Sequence, residues 1–470
     1  MGQEIPTSNF TENDFDVFAE KLQAETQLLA EYFRNDRFCS LHNVGGFEIE
    51  AWLVDDRALP CPINDRFLQA LNNPMVVMEL SRFNIELNVP PQILRDRALR
   101  TLHSDIEATW NHCREVATGM NADLMTIGIH PAVTDDQLCL ANMSFSPRYT
   151  ALNEQVLSQR RGRPLVLDIQ GREHLDVRHY DVMLEAATTS FQIHLQVRPE
   201  KAVRAINAAS IVSAPLLAMS ANSPYLFGHD LWDESRIPLF EQSVDDGSTC
   251  KRVSFGRDYI HDSLLTCFEQ NLGDFPALLP MDMNTPAEKF AHLRLHNGTV
   301  WRWNRPLIGF GDDDTVHLRV ENRVVPSGPT LNDMIANAVF FWGLTRSLTD
   351  QDVAPESCMD FTTARENFYR AARDSLDCEL RWLDGRIYPV RKLIIDQLIP
   401  LARAGLVNLE VNAADCDHYL EIIRERTKTG RNGAAWQRGF VLRHGRDMQV
   451  LSRAYLEQQH TGIPVHEWPL

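Results

Sequence analysis

Four short stretches of this 470-residue chain read as strands that are apolar on one face and carry acids, histidine or arginine on the other. They are Phe47–Leu53, Phe83–Val89, Phe191–Val197 and Val316–Arg323. Side chains alternate across a strand, so Glu48 and Glu50 share a face, as do Gln192, His194 and Gln196. The same holds for His317, Arg319, Glu321 and Arg323. A half-exposed sheet ordinarily shows water a scatter of Thr, Ser and Lys. Faces that concentrate Glu, His, Arg and Asn hold cations and phosphates instead, and they point to an enzyme site built on a sheet.

Placing strands as far apart as Glu48 and Glu321 on one sheet makes residues 46–330 a single catalytic domain. Residues 1–45 read as an N-terminal helix and lead-in, and residues 331–470 as a helical region packed on that domain. Thr11 with Asp14 forms a capping signal for a helix over 11–34, whose apolar residues fall near one face. Helices are also expected at 91–119 and from Pro199 to Met219, with Pro215 kinking or stopping the latter. Leu124–Pro131 reads as a buried strand. Leu293–His296 and Val300–Trp303 read as a hairpin about Asn297-Gly298. Beyond 331 the pattern is helical, with segments near 331–348, 361–383, 388–404, 415–427 and 443–458. Strands with helices inserted between them, without regular βαβ alternation, favour α+β with a mainly antiparallel sheet.

The formal net charge of -18 argues against a nucleic acid or an anionic membrane surface as partner, leaving small molecules. Nine scattered cysteines include no CxxC pair, so free thiols in a reducing cytoplasm are expected. No basic and apolar leader opens the chain, which again suits the cytoplasm. The phosphate loop, the dinucleotide fingerprint, HExxH and GxSxG are all missing. Gly311-Asp312-Asp313-Asp314 reads as a solvated turn.

Glu48, Glu50, Glu86, Glu321 and His194 would be costly to bring together without compensating charge. A divalent cation resolves the conflict, and oxygen ligands with one imidazole suit Mg²⁺ or Mn²⁺. Arg319 and Arg323 share the face of Glu321, a mixture that fits a phosphoryl group in transfer.

This combination resembles the glutamate–cysteine ligase family 2, the carboxylate–amine ligases of the glutamine synthetase-like fold. The matching pieces are Gly46–Glu50, Phe83–Asn88, Thr189–Gln196, Asn222-Ser223-Pro224 and Leu318–Arg323. The resemblance implies a curved antiparallel sheet whose concave face binds ATP and Mg²⁺. It implies formation of an amide, γ-glutamyl in characterised relatives and part of glutathione biosynthesis, through an acyl phosphate. Carried over by position, Glu48, Glu50, Glu86, His194 and Glu321 match metal ligands. Arg323 matches the arginine on the transferring phosphoryl group, with Arg319 as a second. Gln196 is a candidate nucleotide contact, and Arg236 and Asn222 are candidates for substrate binding. The substrates implied are an amino-acid carboxylate, an amine and ATP, and a homo-oligomer is compatible.

Other segments admit two readings. His292, Arg294 and His296 alternate and would line the cavity if strand-borne. Trp301, Trp303 and Arg305 share one face of the next strand and would pack either a substrate or, the favoured reading for the tryptophans, the core. Thr429–Arg438 is a basic loop that would either fold over the site or stay exposed. Two other functions stay open at this point. A carboxylate- or metal-based hydrolase would turn over without nucleotide. A silent binding member of the fold would not turn over at all.

Overall fold

The computed structural model describes residues 4–470 apart from Ser40 and His42. The four loaded stretches do share one sheet. Strand β1 (Val44–Asp55) is its spine, with β3 (Asn84–Asn88) on one side and β8 (Phe191–Val197) on the other. Beyond β3 lies β2 (Val76–Met78); beyond β8 lie β12 (Val316–Asn322) and then β11 (Asn304–Phe310). Two further strands, β4 (Gln92–Ile93) and β5 (Ala122–Met125), pair with the two ends of β1. Every pairing in this sheet is antiparallel. Outside it stand the hairpin β6 (Leu165–Gln170) and β7 (His174–His179), and a short pair, β9 (Tyr225–Leu226) and β10 (His229–Asp230). The class is α+β, with a curled antiparallel half-barrel at its centre.

The sheet's apolar face is the core. Phe47, Ile49, Ile85, Leu87, Phe191, Ile193 and Val320 are all at most 2 % exposed. Helices Pro199–Ser220 and Leu331–Asp350 pack on this side, where the Trp342 indole donates to the His194 carbonyl at 3.0 Å. Pro199–Ser220 is, among the described residues, the helix long and apolar enough to cross a membrane, and 89 % of its apolar stretch lies inside the protein. Pro215 neither stops nor shortens this helix. A proline there removes one backbone bond at a cost of about 3 kcal/mol, yet every residue from Ala205 to Ser220 is buried, and packing outweighs the loss.

The N-terminal helix runs Glu12–Arg34 with the expected Thr11/Asp14 capping box. The helix expected at 91–119 begins only at Ala98, after Pro90-Pro91 and β4. The segment expected at 361–383 stops at Asp374 and gives way to a small hairpin, Glu379–Arg381 with Ile387–Pro389. Asp384-Gly385 makes its turn, with Gly385 at φ +76°. The hairpin expected about Asn297-Gly298 is absent: Ala291–Asn297 is helical. His292 and His296, four residues apart, both reach the N-terminal helix, where Phe18 meets their rings edge-on. His292 Nδ1 lies 2.6 Å from Glu25 Oε1 and His296 Nε2 lies 3.0 Å from the Asn271 carbonyl. Core anchoring therefore decides for helix over strand.

The C-terminal helices are tied to the sheet-bearing body by buried polar contacts. Arg426 pairs with Asp333 at 2.7 Å, both side chains at most 1 % exposed. Tyr455 and Gln459 reach the Thr126 carbonyl at 3.0 and 2.8 Å. Thr429–Arg438 neither covers the cavity nor stays an exposed loop. Asn432 caps a helix, Gly433–His444, that seats on the Ala221–Asn222 turn.

Candidate active site

The register lines up the polar residues in rows. Glu50 stands opposite Glu86, Glu48 opposite Gln192, and His194 opposite Glu321, which in turn faces Arg305. Helices Pro147–Gln159, Leu265–Asp274 and Ala291–Asn297 roof this face and enclose a cavity of about 410 Å³. Six carboxylates line it: Glu48, Glu50, Glu79, Glu86, Glu185 and Glu321. So do Arg148, Arg294, Arg305, Arg319 and Arg323.

Five of the six carboxylates fall into two groups. Glu48, His194 and Glu321 each bring a ligand atom within 4.8 Å of the others, and Glu50, Glu79 and Glu86 do the same. In the first group His194 Nε2 lies 3.4 Å from Glu48 Oε1. Both His194 ring nitrogens are buried without a hydrogen-bond partner. Burying such groups unsatisfied is costly, so an imidazole aimed at two carboxylates is suited to a cation. Glu321 is held from the other side. Arg305 donates to both its oxygens, at 2.8 and 3.0 Å, and Arg323 approaches at 3.4 Å. Burial opposes the charge on Glu321, but Arg305 and then Arg323 outweigh it and hold the carboxyl down at about 2.

The second group is less compensated. Glu50 accepts from Ser190 N and Oγ, both at 2.7 Å, and from Gln192 Nε2 at 2.8 Å. Burial nevertheless raises its carboxyl. Burial, with the charge of Glu48 added, pushes Glu86 up to about 7 although Asn88 donates to it at 2.9 Å. Burial and the neighbouring Glu86 raise Glu79 well above its ordinary range. Crowded carboxylates that resist ionising together are what a divalent cation relieves.

The arginines divide the cavity's charge. Arg319 and Arg323 each keep a buried Nε without a partner. Burial lowers Arg319, whereas Glu321 and Glu50 outweigh burial at Arg323 and raise it. Arg294, on the roofing helix, is lowered by burial and by the charge of Arg319 beside it.

The sheet brings Glu48, Glu50, Glu86, His194, Glu321, Arg319 and Arg323 together. Three other candidates do not reach the cavity wall. Gln196 gives its amide to the Leu41 carbonyl at 2.7 Å. Arg236 is 1 % exposed and its guanidinium is spent on Glu234 (3.0 Å) and on the carbonyls of Arg323 and Val324. Asn222 is fully buried, donating to Ser327 O (2.9 Å) and Tyr455 Oη (2.8 Å) and accepting from Gln437 (3.0 Å). All three brace the fold. His292 and His296 also point away from the cavity, and Trp303 is core, donating to Glu241 at 2.9 Å. Glu79, Glu185 and the pairing role of Arg305 are additions. Glu79 and Glu185 each sit as a lone acid inside an apolar run, Val76–Leu80 and Val182–Ala187, and that was their available signal.

A curled antiparallel sheet with acids and arginines on its hollow face is the architecture of the carboxylate–amine ligases with a glutamine synthetase-like fold. The model of glutamate–cysteine ligase family 2 (GCS2) matches residues 44–461, and the chain belongs to that family of ATP-dependent ligases. Among solved structures it is similar to the glutamate–cysteine ligase of Francisella tularensis, crystallised in complex with AMP. That match has a TM-score of 0.54 at 12 % identity, over 90 % of this chain and 90 % of that one. It is also similar to a bifunctional glutathione synthetase from Pasteurella multocida, with a TM-score of 0.54 at 11 % identity. This second match covers 96 % of this chain but 55 % of the larger protein. At such identities the likeness is one of fold. No curated protein sequence matches the chain.

Proposed function

We propose that this protein is an ATP-dependent carboxylate–amine ligase that forms an amide, a γ-glutamyl one, through an acyl phosphate. The observation that carries the reading is the pair of acid-rich groups in one cavity with Arg319 and Arg323, whose Nε groups have no partner, and with His194 buried between Glu48 and Glu321. Neither a general acid–base pair nor a simple anion site calls for that mixture.

Glu48, His194 and Glu321 would hold one cation and Glu50, Glu79 and Glu86 another, Mg²⁺ or Mn²⁺ by their oxygen-rich donor sets. Bound there, such ions supply neutralising charge for the phosphate oxygens of ATP. The Arg305 fork leaves Glu321 Oε1 a second lone pair, while Oε2 also accepts from Arg323. Arg323 and Arg319 present free guanidinium edges to the γ-phosphoryl group, whose charge is spread over its oxygens. A carboxylate oxygen of the first substrate attacks the γ-phosphorus, giving ADP and an acyl phosphate. The amine then attacks the acyl carbon and phosphate leaves. Activation is needed because a carboxylate is a poor electrophile with a poor leaving group.

The test is ADP release from MgATP with a panel of carboxylic amino acids and amines, followed by the product mass. ADP that requires both substrates together, with a product mass of their sum less water, supports the reading. Turnover without nucleotide would assign the cavity to a hydrolase.

A further inference from the structure

The hairpin of β6 and β7 stands outside the central sheet, and its two edges differ. The edge of β6 is covered by helix Arg236–Ser243 and the chain before it. There Gln242 accepts from Asp168 N at 2.8 Å and donates to the Asp168 carbonyl at 3.2 Å, and Trp232 Nε1 donates to the Gln170 carbonyl at 2.9 Å. Residues opposite each other in an antiparallel pair exchange both backbone bonds or neither. Asp168 stands opposite Asp176, Val166 opposite Arg178 and Gln170 opposite His174. The backbone groups of His174, Asp176 and Arg178 therefore point away from β6, and among the described residues no strand pairs with that edge. His174–His179 is a regular strand without the lysine or proline that often blunts an open edge. Its outer face shows exposed His174, Asp176 and Arg178, and Tyr180 just beyond it is 70 % exposed. Asp176 and Arg178 make no ion pair or side-chain hydrogen bond with any described residue, and Asp176 faces the like charge of Asp168. A strand carrying unspent charges of both signs two residues apart is complementary to itself.

We propose that β7 pairs antiparallel with β7 of a second copy of this chain, joining two hairpins into one four-stranded sheet about a twofold axis at Val177. Charge chooses that register. Centred on Val177, Asp176 lies opposite Arg178 of the partner subunit at two equivalent places, and His174 lies opposite the partner's Tyr180. Centred on Asp176 or on Arg178, the strands would set identical charges face to face. A register shifted by one residue would turn the exposed face of one hairpin onto the apolar face of the other. In the chosen register Asp176 and the partner's Arg178 both present outward backbone groups, so each such pair exchanges two hydrogen bonds. The pairing uses up the open edge of each copy and closes as a dimer. It does not depend on the chemistry in the cavity.

Sedimentation equilibrium of the full-length protein, from low to high micromolar concentration, reads the assembly. Wild type should reach a dimer. Asp176→Arg and Arg178→Asp each turn two attractive pairs into two repulsive ones, and each should weaken the dimer by about 10- to 100-fold. The double variant, Asp176→Arg with Arg178→Asp, restores two opposite pairs and should return the dissociation constant to within about threefold of wild type. Such rescue is what neither a folding defect nor another interface produces. Amide hydrogen exchange reads the strand pairing itself: the segment 174–179 should exchange more slowly at dimer than at monomer concentrations in wild type and the double variant. A wild type that stays monomeric throughout would overturn the proposal, leaving the edge for a strand of another protein. So would a larger open-ended assembly, a dimer unmoved by either single reversal, a double variant no tighter than the singles, or exchange at 174–179 that ignores concentration.

Discussion

Arg305→Met should expose how much the cavity depends on paired charge. Arg305 and Glu321 meet through two hydrogen bonds at 2.8 and 3.0 Å, with side chains 9 % and 2 % exposed. A carboxyl held at about 2 against an ordinary 4.5 carries about 3 kcal/mol of favourable interaction with its surroundings. That agrees with the roughly 3–5 kcal/mol lost on breaking a buried pair from one side. In wild type the depressed carboxyl contributes fully above pH 4.5 and loses its contribution only as pH falls through about 2. In the variant Glu321 keeps its burial but loses its main partner, so its carboxyl rises above the ordinary range. The variant should therefore be about 3 kcal/mol less stable at pH 8, and the deficit should shrink towards pH 5 as Glu321 takes up a proton. Urea unfolding followed by tryptophan fluorescence, in buffer with chelator, reads both effects. A deficit under about 1 kcal/mol, or one that does not change between pH 8 and 5, would refute the electrostatic account and leave lost packing. The same pairing implies that Glu321→Gln, which strands Arg305, destabilises the fold as well as stopping turnover.

Four further outcomes are expected. Burial raises Glu86 and Glu241 to about 7 and Glu185 to about 8, so the metal-free protein should lose stability as pH rises from 5 to 8. Added Mg²⁺ should flatten that slope; thermal unfolding across pH with and without the ion checks it. Glu79→Gln should weaken Mn²⁺ binding at least tenfold by calorimetry while leaving the apo melting point unchanged or higher, because it removes one of the crowded charges. Arg426→Met should cost about 3–5 kcal/mol, whereas Arg100→Gln, whose partner Asp415 it meets from a 58 % exposed position, should cost under about 1 kcal/mol by the same unfolding assay. Gly343→Ala should cost about 1–3 kcal/mol or more, since the new methyl would lie 2.3 Å from the Ala402 carbonyl where two helices touch backbone to backbone.

The sheet was legible because strand alternation is a local signal, and each of β1, β3, β8 and β12 carries it within seven or eight residues. Their order in the sheet and the facing of His194 by Glu321 were not legible, since a shared face fixes neither neighbour nor register. The helix at 291–297 was not legible. His292, Arg294 and His296 fit alternation along a strand, while His292 and His296 fit helical spacing equally well. What decides is Glu25, 267 positions earlier in the chain. Asn297-Gly298 likewise serves a helix end as readily as a hairpin. Arg236 and Asn222 look functional by type and motif, and only three-dimensional burial shows that carbonyls and a neighbouring carboxylate consume their donors. Glu79 and Glu185 escaped because each is a single acid, and a single acid in an apolar run does not say which cavity it faces.

The central claim is that the carboxylate is activated as an acyl phosphate in this cavity, and isotope transfer tests it most directly. With the carboxylate substrate labelled with ¹⁸O, one labelled oxygen should appear in the inorganic phosphate for each amide formed, read by mass spectrometry. Phosphate released without label while amide accumulates would contradict the account, because carboxylate oxygen would then never have bonded to phosphorus.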